Sequence, residues 1–440
     1  MKKIFTLLLI LMLGVLAACG GDDTSNDDTG GSDSDNGTDS GETSDGVQSV
    51  TAWAWDPNFN IRALELANQA YDGDSEMYVE IIENAQDDII QRLNAGLSSG
   101  TTQGMPNIVL IEDYRAQSFL QSYPDAFYPL TDYINPDDFA QYKVEATSFD
   151  GDIYGLPFDT GVSGLYVRTD YLEEAGYTVE DLSDITWKEY IEIGKEVKAA
   201  TGKDMITLDP NDFGMVRMML QSAGEWYFEE DGNTPALADN PALEEIFVLY
   251  KEMMDADIVK LNSDWSQFVS AFNSGDVATV PTGNWITPSV KAEASQSGNW
   301  AVLPLPRLEV DGAVNTSNLG GSSWYVLNQD GKELAAEFLA NTFGSNEQFY
   351  TDLVTEIGAL GTYIPGTQGE AFEQEDPFFG GQAIIQDFAT WSEQIPPVNY
   401  GMHTYAVDDI LKVEMQNYLN GADVGDVLDN AQSQAETQLR

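Results

Sequence analysis

Apolar residues recur with two different periods along the chain from residue 49 onward. The segments SVTAWAW, MYVEII and NIVLIED predict short strands, and a helical pattern from Ile61 to Tyr71, with Asn60 as its expected cap, separates the first two. The segment QDDIIQRLNAGLSSG, which ends in glycine, predicts a second helix before the third strand. This order of elements implies a parallel sheet covered on both faces, with ligands bound beyond the carboxyl ends of its strands.

The rest of the chain continues as a mixture of helices and strands. Thr186 and Glu189 match a capping box, and the helix that they begin is expected to end near Gly202. Further helices are predicted by NPALEEIFVLYKEMMDAD, WSQFVSAFNSG and GKELAAEFLANTF, and strands by GDVATVPTG, VLPLP and SSWYVLN. The pattern favours the α/β fold class, and a length of 440 residues favours two domains.

The first 18 residues have the pattern of a secretory signal. Lys2 and Lys3 precede an apolar run from Ile4 to Val15, which is too short to span a bilayer comfortably, and small residues follow it. The segment LAAC resembles the lipobox of bacterial lipoproteins, which implies that Cys19 is lipidated and becomes the mature N-terminus. The protein would then be anchored on the outer face of the bacterial cytoplasmic membrane. An ordinary signal peptide followed by an incidental cysteine is the alternative.

The segment after Cys19 has an unusual composition. Residues 20–46 contain nine acidic side chains and neither a basic nor an apolar one. Such a composition cannot offset the entropy lost on folding, so residues 19–47 are predicted to be a disordered tether. As a flexible coil the tether spans roughly 30 Å, which lifts a folded body clear of the lipid headgroups.

The net charge narrows the range of partners. The sequence carries 74 acidic against 19 basic side chains, a formal charge of −55. Nucleic acid and an anionic membrane surface are therefore implausible partners, because proteins bind both through clustered Lys and Arg. So uniform an excess is typical of solubility in concentrated salt, and a halophilic source is our hypothesis.

Few routes to catalysis or to a cofactor exist in this sequence. Cys19 is its only cysteine and His403 its only histidine, which excludes an internal disulfide, a cysteine-rich metal site and a two-histidine zinc helix. The sequence also lacks a serine-hydrolase elbow, a P-loop and a dinucleotide fingerprint. We expect no catalytic residue, no metal and no cofactor. A polysaccharide-active enzyme and a calcium site at the acidic turn 229–233 are the weaker alternatives.

Four stretches resemble, in order, the landmarks of a known family. They are GDIYGLPFDTGVSGLYVRTDYLEEAG (151–176), ITWKEY (185–190), AFNSGDVATVPTGNW (271–285) and LGGSSWYVLNQDGKELAAEFL (319–339). Together with the lipobox they resemble the extracellular solute-binding proteins of ABC importers, family 1, the carbohydrate-binding group that includes maltose-binding protein. The resemblance covers nearly all of the chain after the tether. It implies a two-lobe, type II periplasmic-binding-protein-like fold that closes on a sugar and delivers it to the membrane permease.

The resemblance also implies where the two lobes divide. The lobes would comprise residues 48–157 with 322–370, and residues 158–321 with 371–440. Three crossovers would join them near residues 156–161, 320–323 and 365–369. Gly and Pro in those segments suit a backbone that rotates during hinge closure. A monomer is expected.

A neutral sugar needs aromatic rings for its C–H faces and carboxylates or amides for its hydroxyl groups. Residues of both kinds lie at the predicted strand ends, in loops and at positions that match the landmarks of the family. The candidate ligand-binding residues are Trp55, Asp56, Asn58, Glu112, Asp113, Arg115, Asp159, Asn211, Asp212, Trp285, Gly321, Trp324 and Tyr405.

The resemblance gives three of these candidates their roles. It implies that Asp159 accepts a hydrogen bond from a sugar hydroxyl, that Trp285 stacks on a sugar ring, and that Tyr405 is an aromatic landmark of the second lobe. The first-strand loop departs from the maltose-type pattern because it contains Pro57 and no lysine. The sugar itself therefore cannot be copied across from the family.

Structural roles compete with ligand binding at most other candidates. These roles are helix capping for Asp56 and Asn58, a surface ion pair for residues 112–115, a turn for Asn211 and Asp212, and core packing for Trp324. We assign Trp53 to the core and Trp55 to the rim, and we assign Trp226 and Trp265 to packing. An acidic sugar or a peptide is the alternative ligand, for which Arg115, Arg168 and Arg217 could supply the positive charge.

Overall fold

The structure, a computed structural model, describes residues 48–439. The predicted signal segment 1–18, Cys19 and the predicted tether 19–47 lie outside the described residues. The strands are β1 (Gln48–Ala54), β2 (Met77–Glu83), β3 (Ile108–Glu112), β4 (Ser148–Phe149), β5 (Asp152–Ile153), β6 (Gly155–Pro157), β7 (Ser163–Arg168), β8 (Ile206–Leu208), β9 (Val259–Leu261), β10 (Thr279–Gly283), β11 (Trp300–Leu303) and β12 (Ser322–Val326).

Helices separate most of these strands, as the alternating pattern predicts. They are α1 (Asn60–Ala70), α2 (Gln86–Ser99), α3 (Asp113–Ser122), α4 (Gln141–Thr147), α5 (Thr169–Ala175), α6 (Trp187–Thr201), α7 (Gly214–Ser222), α8 (Pro241–Asp255), α9 (Trp265–Asn273), α10 (Thr287–Lys291), α11 (Lys332–Asn341), α12 (Glu347–Ile357), α13 (Ile384–Ser392), α14 (Thr404–Leu419) and α15 (Val424–Gln438). The α/β fold class is thereby confirmed.

The larger sheet has five strands in the order β2-β1-β3-β12-β6. The first three strands are parallel, as predicted, whereas β12 runs antiparallel to both β3 and β6. Side-chain alternation directs Val50 and Ala52 to one face, under α1, α11 and α12, and Trp53 to the other, under α2 and α3. Helices therefore pack against both faces of this sheet, and the assignment of Trp53 to the core is confirmed.

The second main sheet has three antiparallel strands in the order β10-β7-β11. Leu165 and Val167 face a large apolar cluster with α6, α7, α8, α14 and α15, and Tyr166 faces a smaller one with α9, α10 and α13. Two small pairs, β4-β5 and β8-β9, complete the strands of the described part.

The chain passes between the two main sheets at residues 158–162, between β6 and β7, and at residues 304–321, between β11 and β12. Gly161 lies in the first passage with φ +65°, and a Cβ atom there would lie 2.6 Å from the backbone nitrogen of Gly321. The two passages therefore approach too closely for any side chain at residue 161, where the Asn318 side-chain oxygen would also lie 2.7 Å from a Cβ atom. Asp113, just beyond the carboxyl end of β3, donates its backbone N–H to the Gly321 carbonyl, so this strand end meets the same place.

Local capping signals have mixed outcomes. Thr186 and Glu189 form the predicted capping box of α6, and Gly202 ends that helix in the left-handed conformation, as predicted. The prediction that Asn60 caps α1 is wrong, because Asn60 lies inside the helix and its side-chain oxygen accepts from the backbone N–H groups of Trp55 and Asp56. Asn60 thus fixes the turn between β1 and α1.

Candidate ligand-binding site

A buried lysine that the sequence analysis missed lies among three candidates, Asp113, Asp159 and Gly321. The Lys143 ammonium group, with 0% of its side chain exposed, forms an ion pair with Asp113 Oδ2. It also donates to the Ser322 carbonyl at 3.1 Å. A Cβ atom at Gly321 would lie 2.9 Å from that carboxylate oxygen, so only glycine leaves room for the pair.

The two carboxylates are held mainly by serines of β12. Asp113 Oδ1 accepts from the Ser323 hydroxyl at 3.0 Å, and Asp159 Oδ1 accepts from the Ser322 backbone N–H at 2.5 Å and its hydroxyl at 2.8 Å. Burial raises the pKa of Asp113 to about 6 although Lys143 lowers it, and burial likewise raises the pKa of Asp159. Two carboxylates whose charged forms are disfavoured by burial therefore lie beside a single ammonium group.

A second cluster joins Glu112, Arg115 and Tyr405. The Tyr405 hydroxyl, from α14, donates to Glu112 Oε2 at the end of β3. The Arg115 guanidinium carbon lies 3.5 Å from the centroid of the Tyr405 ring, and that of Arg217 lies 4.9 Å from it. Burial raises the pKa of Glu112, against the lowering effect of the two arginines. This cluster connects the larger sheet to a helix that packs under the second sheet.

Arg217 anchors this second cluster in the interior. It forms an ion pair with buried Asp408, whose other oxygen accepts from the Tyr227 hydroxyl at 2.7 Å. The sequence offers no sign of this pairing, because 191 residues separate its two charges.

Aromatic rings that the sequence analysis did not select lie between the two clusters. The Tyr114 and Tyr400 rings meet edge to face at 4.6 Å, and Trp226 lies 4.9 Å from Tyr400. The Tyr400 hydroxyl donates to Gln221 at 3.3 Å, and the Asn318 amide nitrogen lies 3.4 Å from it. The Asn318 side-chain oxygen is buried without a hydrogen-bond partner, which leaves one acceptor unsatisfied here.

A cavity of about 1280 Å³ opens beside these rings. Its wall includes Asp113, Gln117 and Tyr142 from the α3 and α4 region and Trp226 and Tyr400 from the opposite side. Its rim is acidic, with Glu225, Glu229, Glu230 and Asp231. Among the candidate residues, Asp113 lines it. The cavity thus combines carboxylate, amide and aromatic groups.

Trp285 lies apart from this cavity. Its indole N–H donates to the Leu319 carbonyl at 2.9 Å, and the ring is half-buried against apolar clusters of both main sheets. Cβ atoms at Gly283 and Gly320 would crowd this indole, so two glycines make space for it. Trp265, which we assigned to packing, lies 5.8 Å from it and is 49% exposed.

In the loop after β1, the Asp56 carboxylate has a structural role. Asp56 accepts from the Asn58 backbone N–H at 2.8 Å, which forms an Asx turn. Trp55 is half-buried and packs against clusters on both faces of the larger sheet. Asp56 and Asn58 still expose polar atoms, but their backbone contacts are those of a turn.

Asn211 and Asp212 also form a turn. The backbone N–H of exposed Asn211 donates to Asp209 at 2.8 Å, and Asp212 accepts from the Gly214 backbone N–H at 2.8 Å at the start of α7. Asp212 also lies 3.8 Å from Arg217, which brings it near the Tyr405 cluster.

The structure places Trp324 in the core rather than on an accessible surface. Its side chain is 0% exposed and lies between Phe158 and Phe343, with ring centroids at 5.6 and 5.5 Å. A ligand cannot reach this ring in the structure. β12 is an inner strand between β3 and β6, and Trp324 points to the face of the sheet that carries Val50 and Ala52, where it is buried in the same apolar cluster.

Neither a metal-binding cluster nor a membrane-spanning helix is found in residues 48–439. This part of the chain holds no group of three or more His, Cys, Asp or Glu side chains that could bind a metal ion. Across the same residues, every helix is too short or too polar to cross a membrane.

Solved structures show the class of protein to which this fold belongs. The receptor for acarbose of Streptomyces glaucescens has a TM-score of 0.73 at 19% identity, over 89% of this chain and 98% of that one. The MalE sugar-binding protein of Xanthomonas citri has a TM-score of 0.69 at 17% identity, over 89% and 97%. The prediction of a type II periplasmic-binding-protein-like fold is thereby confirmed.

The chain belongs to the bacterial extracellular solute-binding protein family, whose model matches residues 65–377. A lactose-binding protein of Rhizobium radiobacter is 44% identical over 393 residues, which cover 89% of this chain and 93% of the relative. An arabinooligosaccharide-binding protein of Halalkalibacterium halodurans is 27% identical, over 80% and 77%. The family resemblance found in the sequence is confirmed.

Proposed function

We propose that this protein captures a sugar, specifically an oligosaccharide, and delivers it to the permease of an ABC importer without chemical change. The observation that carries the proposal is the cavity in which the Asp113 carboxylate, amides and aromatic rings meet, in a chain 44% identical to a lactose-binding protein. Carboxylates accept strong hydrogen bonds from hydroxyl groups, and aromatic faces cover C–H surfaces.

Within this proposal, residues 48–157 with 322–370 and residues 158–321 with 371–440 act as two lobes that close on the ligand. The contact between Gly161 and Gly321 lies where the passages between the sheets meet, which suits a pivot. Glu112, Arg115 and Tyr405 then form a contact made on closure. The ligand lies between the Asp113 and Asp159 region and the aromatic rings.

The charges near this site favour a neutral ligand over an acidic sugar or a peptide. Arg217 is already paired with Asp408, and Arg115 stacks on Tyr405 beside Glu112. The Lys143 ammonium group is paired with Asp113. Arg115, Lys143 and Arg217 thus each have a carboxylate partner, so none of them offers an unpaired positive charge to an anionic ligand.

The mature protein is proposed to be a monomer held on the outer face of the cytoplasmic membrane by a lipid on Cys19. Labelling of expressing cells with an alkyne-tagged fatty acid tests the anchor. We expect label on the wild-type chain and none on Cys19→Ser, and equal labelling of both would contradict it.

Ligand binding is tested by thermal denaturation of the full-length Cys19→Ser chain with lactose, arabinotriose, galactose, glucuronate and a tripeptide. A ligand that binds only the folded form at 100 times its Kd stabilises it by about 2.7 kcal/mol and raises the melting midpoint. We expect a rise with at least one oligosaccharide. A rise with the tripeptide and with none of the sugars would contradict the proposal.

A further inference from the structure

Tyr114 is the second residue of α3, and its side chain lies apart from the apolar residues of that helix. Ala116, Phe119 and Leu120 pack in an apolar cluster under the larger sheet. At about 3.6 residues per turn, Tyr114 lies on the side of the helix opposite to these three. That side would face water if the larger sheet and its helices stood alone, yet Tyr114 is 1% exposed. Its burial therefore comes from another part of the chain.

The second sheet and its helices supply that burial. Among the described residues of the first proposed lobe, Tyr114 is the only one that belongs to the large apolar cluster under the second sheet. Its ring centroid lies 4.6 Å from that of Tyr400 and 5.5 Å from that of Trp226, and the Arg217 guanidinium carbon lies 5.2 Å from it. Its hydroxyl donates to the Asn318 carbonyl at 3.3 Å. These four residues of the second proposed lobe form what we call the Tyr114 pocket.

The walls of the Tyr114 pocket are fixed by contacts within the second lobe. The indole N–H of Trp226 donates to the Thr404 hydroxyl at 3.1 Å, and Arg217 is held by its ion pair with Asp408. Neither contact involves a residue of the first lobe. The pocket therefore does not depend on Tyr114 for its shape, and the ring enters it as a separate part.

Tyr114 does not line the cavity that we propose for the ligand, although its neighbours do. Asp113, which precedes it, lines this cavity, and so do Trp226 and Tyr400 from the Tyr114 pocket. The ring contacts join residues of the two lobes, so they exist when the lobes are together and are lost when the lobes separate. They therefore favour the closed arrangement, which is the one that surrounds a ligand.

We propose that Tyr114 determines sugar affinity without contacting the sugar, by entering its pocket when the lobes close and leaving it when they open. This inference rests on the proposed function and adds a positioning residue to it. The apparent dissociation constant of a ligand rises as the binding-competent fraction of the protein falls. Loss of the Tyr114 ring lowers the closed fraction and weakens binding of each sugar that the cavity accepts.

Hydroxyl-radical footprinting of the full-length Cys19→Ser chain, read by mass spectrometry, tests whether the ring leaves its pocket. Tyr325, which is 0% exposed on β12 of the larger sheet, is the control. We expect Tyr114 to be labelled without sugar and several-fold less with saturating lactose or arabinotriose, while Tyr325 stays unlabelled in both. A Tyr114 ring labelled no more than Tyr325 in the sugar-free chain never leaves the pocket, which overturns the proposal.

Calorimetric titration of the same chain with lactose and arabinotriose tests the effect on affinity. The variants are Tyr114→Leu and Tyr114→Phe, and Phe119→Leu is the matched control, because it makes the same aromatic-to-leucine change in the part of α3 that packs under the larger sheet. The melting midpoint of each variant without sugar shows that it folds. The footprinting result holds whether or not Tyr114→Leu folds.

We expect Tyr114→Leu to weaken binding of the sugar about 10-fold, because the ring contacts of the closed form are lost. Tyr114→Phe should keep most of the affinity, and Phe119→Leu should lower the melting midpoint without changing affinity. Unchanged affinity in Tyr114→Leu, or an equal loss in Phe119→Leu, overturns the role of Tyr114 while the proposed function stands. A wild-type chain that binds neither sugar overturns both.

Discussion

At Lys143 a single ammonium group offsets the charge of two buried carboxylates. It pairs with Asp113 directly and lowers the pKa of Asp159 through space. Removing one partner of a buried ion pair leaves the other charge uncompensated, which costs about 3–5 kcal/mol. Lys143 therefore positions Asp113 as well as stabilising the fold.

Lys143→Met is expected to lower the free energy of unfolding by about 3 kcal/mol at neutral pH, measured by urea denaturation. The loss should depend on pH. Burial raises the pKa of Asp113, so its contribution to stability is fully present below the ordinary pKa of 3.8 and is lost as the pH rises through about 6. Without the lysine this pKa rises further, so the variant should lose less stability at pH about 4 than at pH about 8.

The double variant Lys143→Met/Asp113→Asn is the control for this prediction. It removes both charges, so most of the stability should return and the pH dependence should shrink. An equal loss at both pH values in Lys143→Met would show that lost packing, rather than an unpaired carboxylate, explains the effect.

The sequence pattern selected Asp113 as a candidate ligand-binding residue, but it gave no indication that Lys143 lies beside it. Asp113 follows an apolar strand, and the polar end of a parallel strand is a known place for ligand contacts. Lys143 lies in a seven-residue helix, where a lysine normally faces water, and only tertiary packing buries it. Exposed Trp265 and buried Trp324 show the same limit. The sequence pattern assigned Trp265 to packing, and it left Trp324 open between ligand stacking and core packing.

Among the secondary-structure elements, some local signals were correct and others, such as Asn60 at α1, were not; the correct ones are motifs that a few neighbouring residues form by themselves. The α6 capping box is such a case, because Thr186 and Glu189 bond only to each other and to the adjoining backbone. The antiparallel placement of β12 beside β3 could not be predicted from pattern, since its partner residues, such as Ser322 and Glu112, are far apart in the chain. Register across such a distance depends on the whole fold.

Thr186→Ala should lower the free energy of unfolding by about 1 kcal/mol, because the N3 backbone N–H loses its acceptor. Sugar affinity should not change, since α6 packs under the second sheet away from the cavity. Urea denaturation and calorimetric titration measure the two effects. Ser183→Ala, at an exposed position in the preceding loop, is the matched control. A comparable loss of unfolding free energy in that control would show that the effect of Thr186→Ala does not come from the capping box.

At the scale of the whole molecule, the acidic excess is the dominant property. After the nine acids of residues 20–46 and the two lysines at the N-terminus are set aside, 65 acidic and 17 basic side chains remain, a formal charge of −48. Like charges at this density destabilise a compact chain through mutual repulsion. Composition alone predicts this property, whereas the cavity depends on the meeting of segments from many parts of the chain.

Added sodium chloride is expected to raise the melting midpoint, because the screening length falls from roughly 30 Å at 0.01 M to roughly 3 Å at 1 M. Differential scanning calorimetry across that range measures the effect. Choline chloride at equal ionic strength is the control, since an equal rise with both salts indicates screening rather than sodium binding. A midpoint that stays constant or falls would contradict the idea of a chain adapted to salt.

Glu112 and Asp113 are consecutive residues, yet the first contacts Tyr405 on α14 and the second faces Lys143 and the cavity. Under the proposed function, the residue that senses occupancy and the residue that senses closure are therefore joined by one peptide bond. A shift of the backbone at either residue is therefore passed directly to the other. A receptor built in this way needs no long chain of contacts between the ligand and the closure contact, because both act on the end of β3.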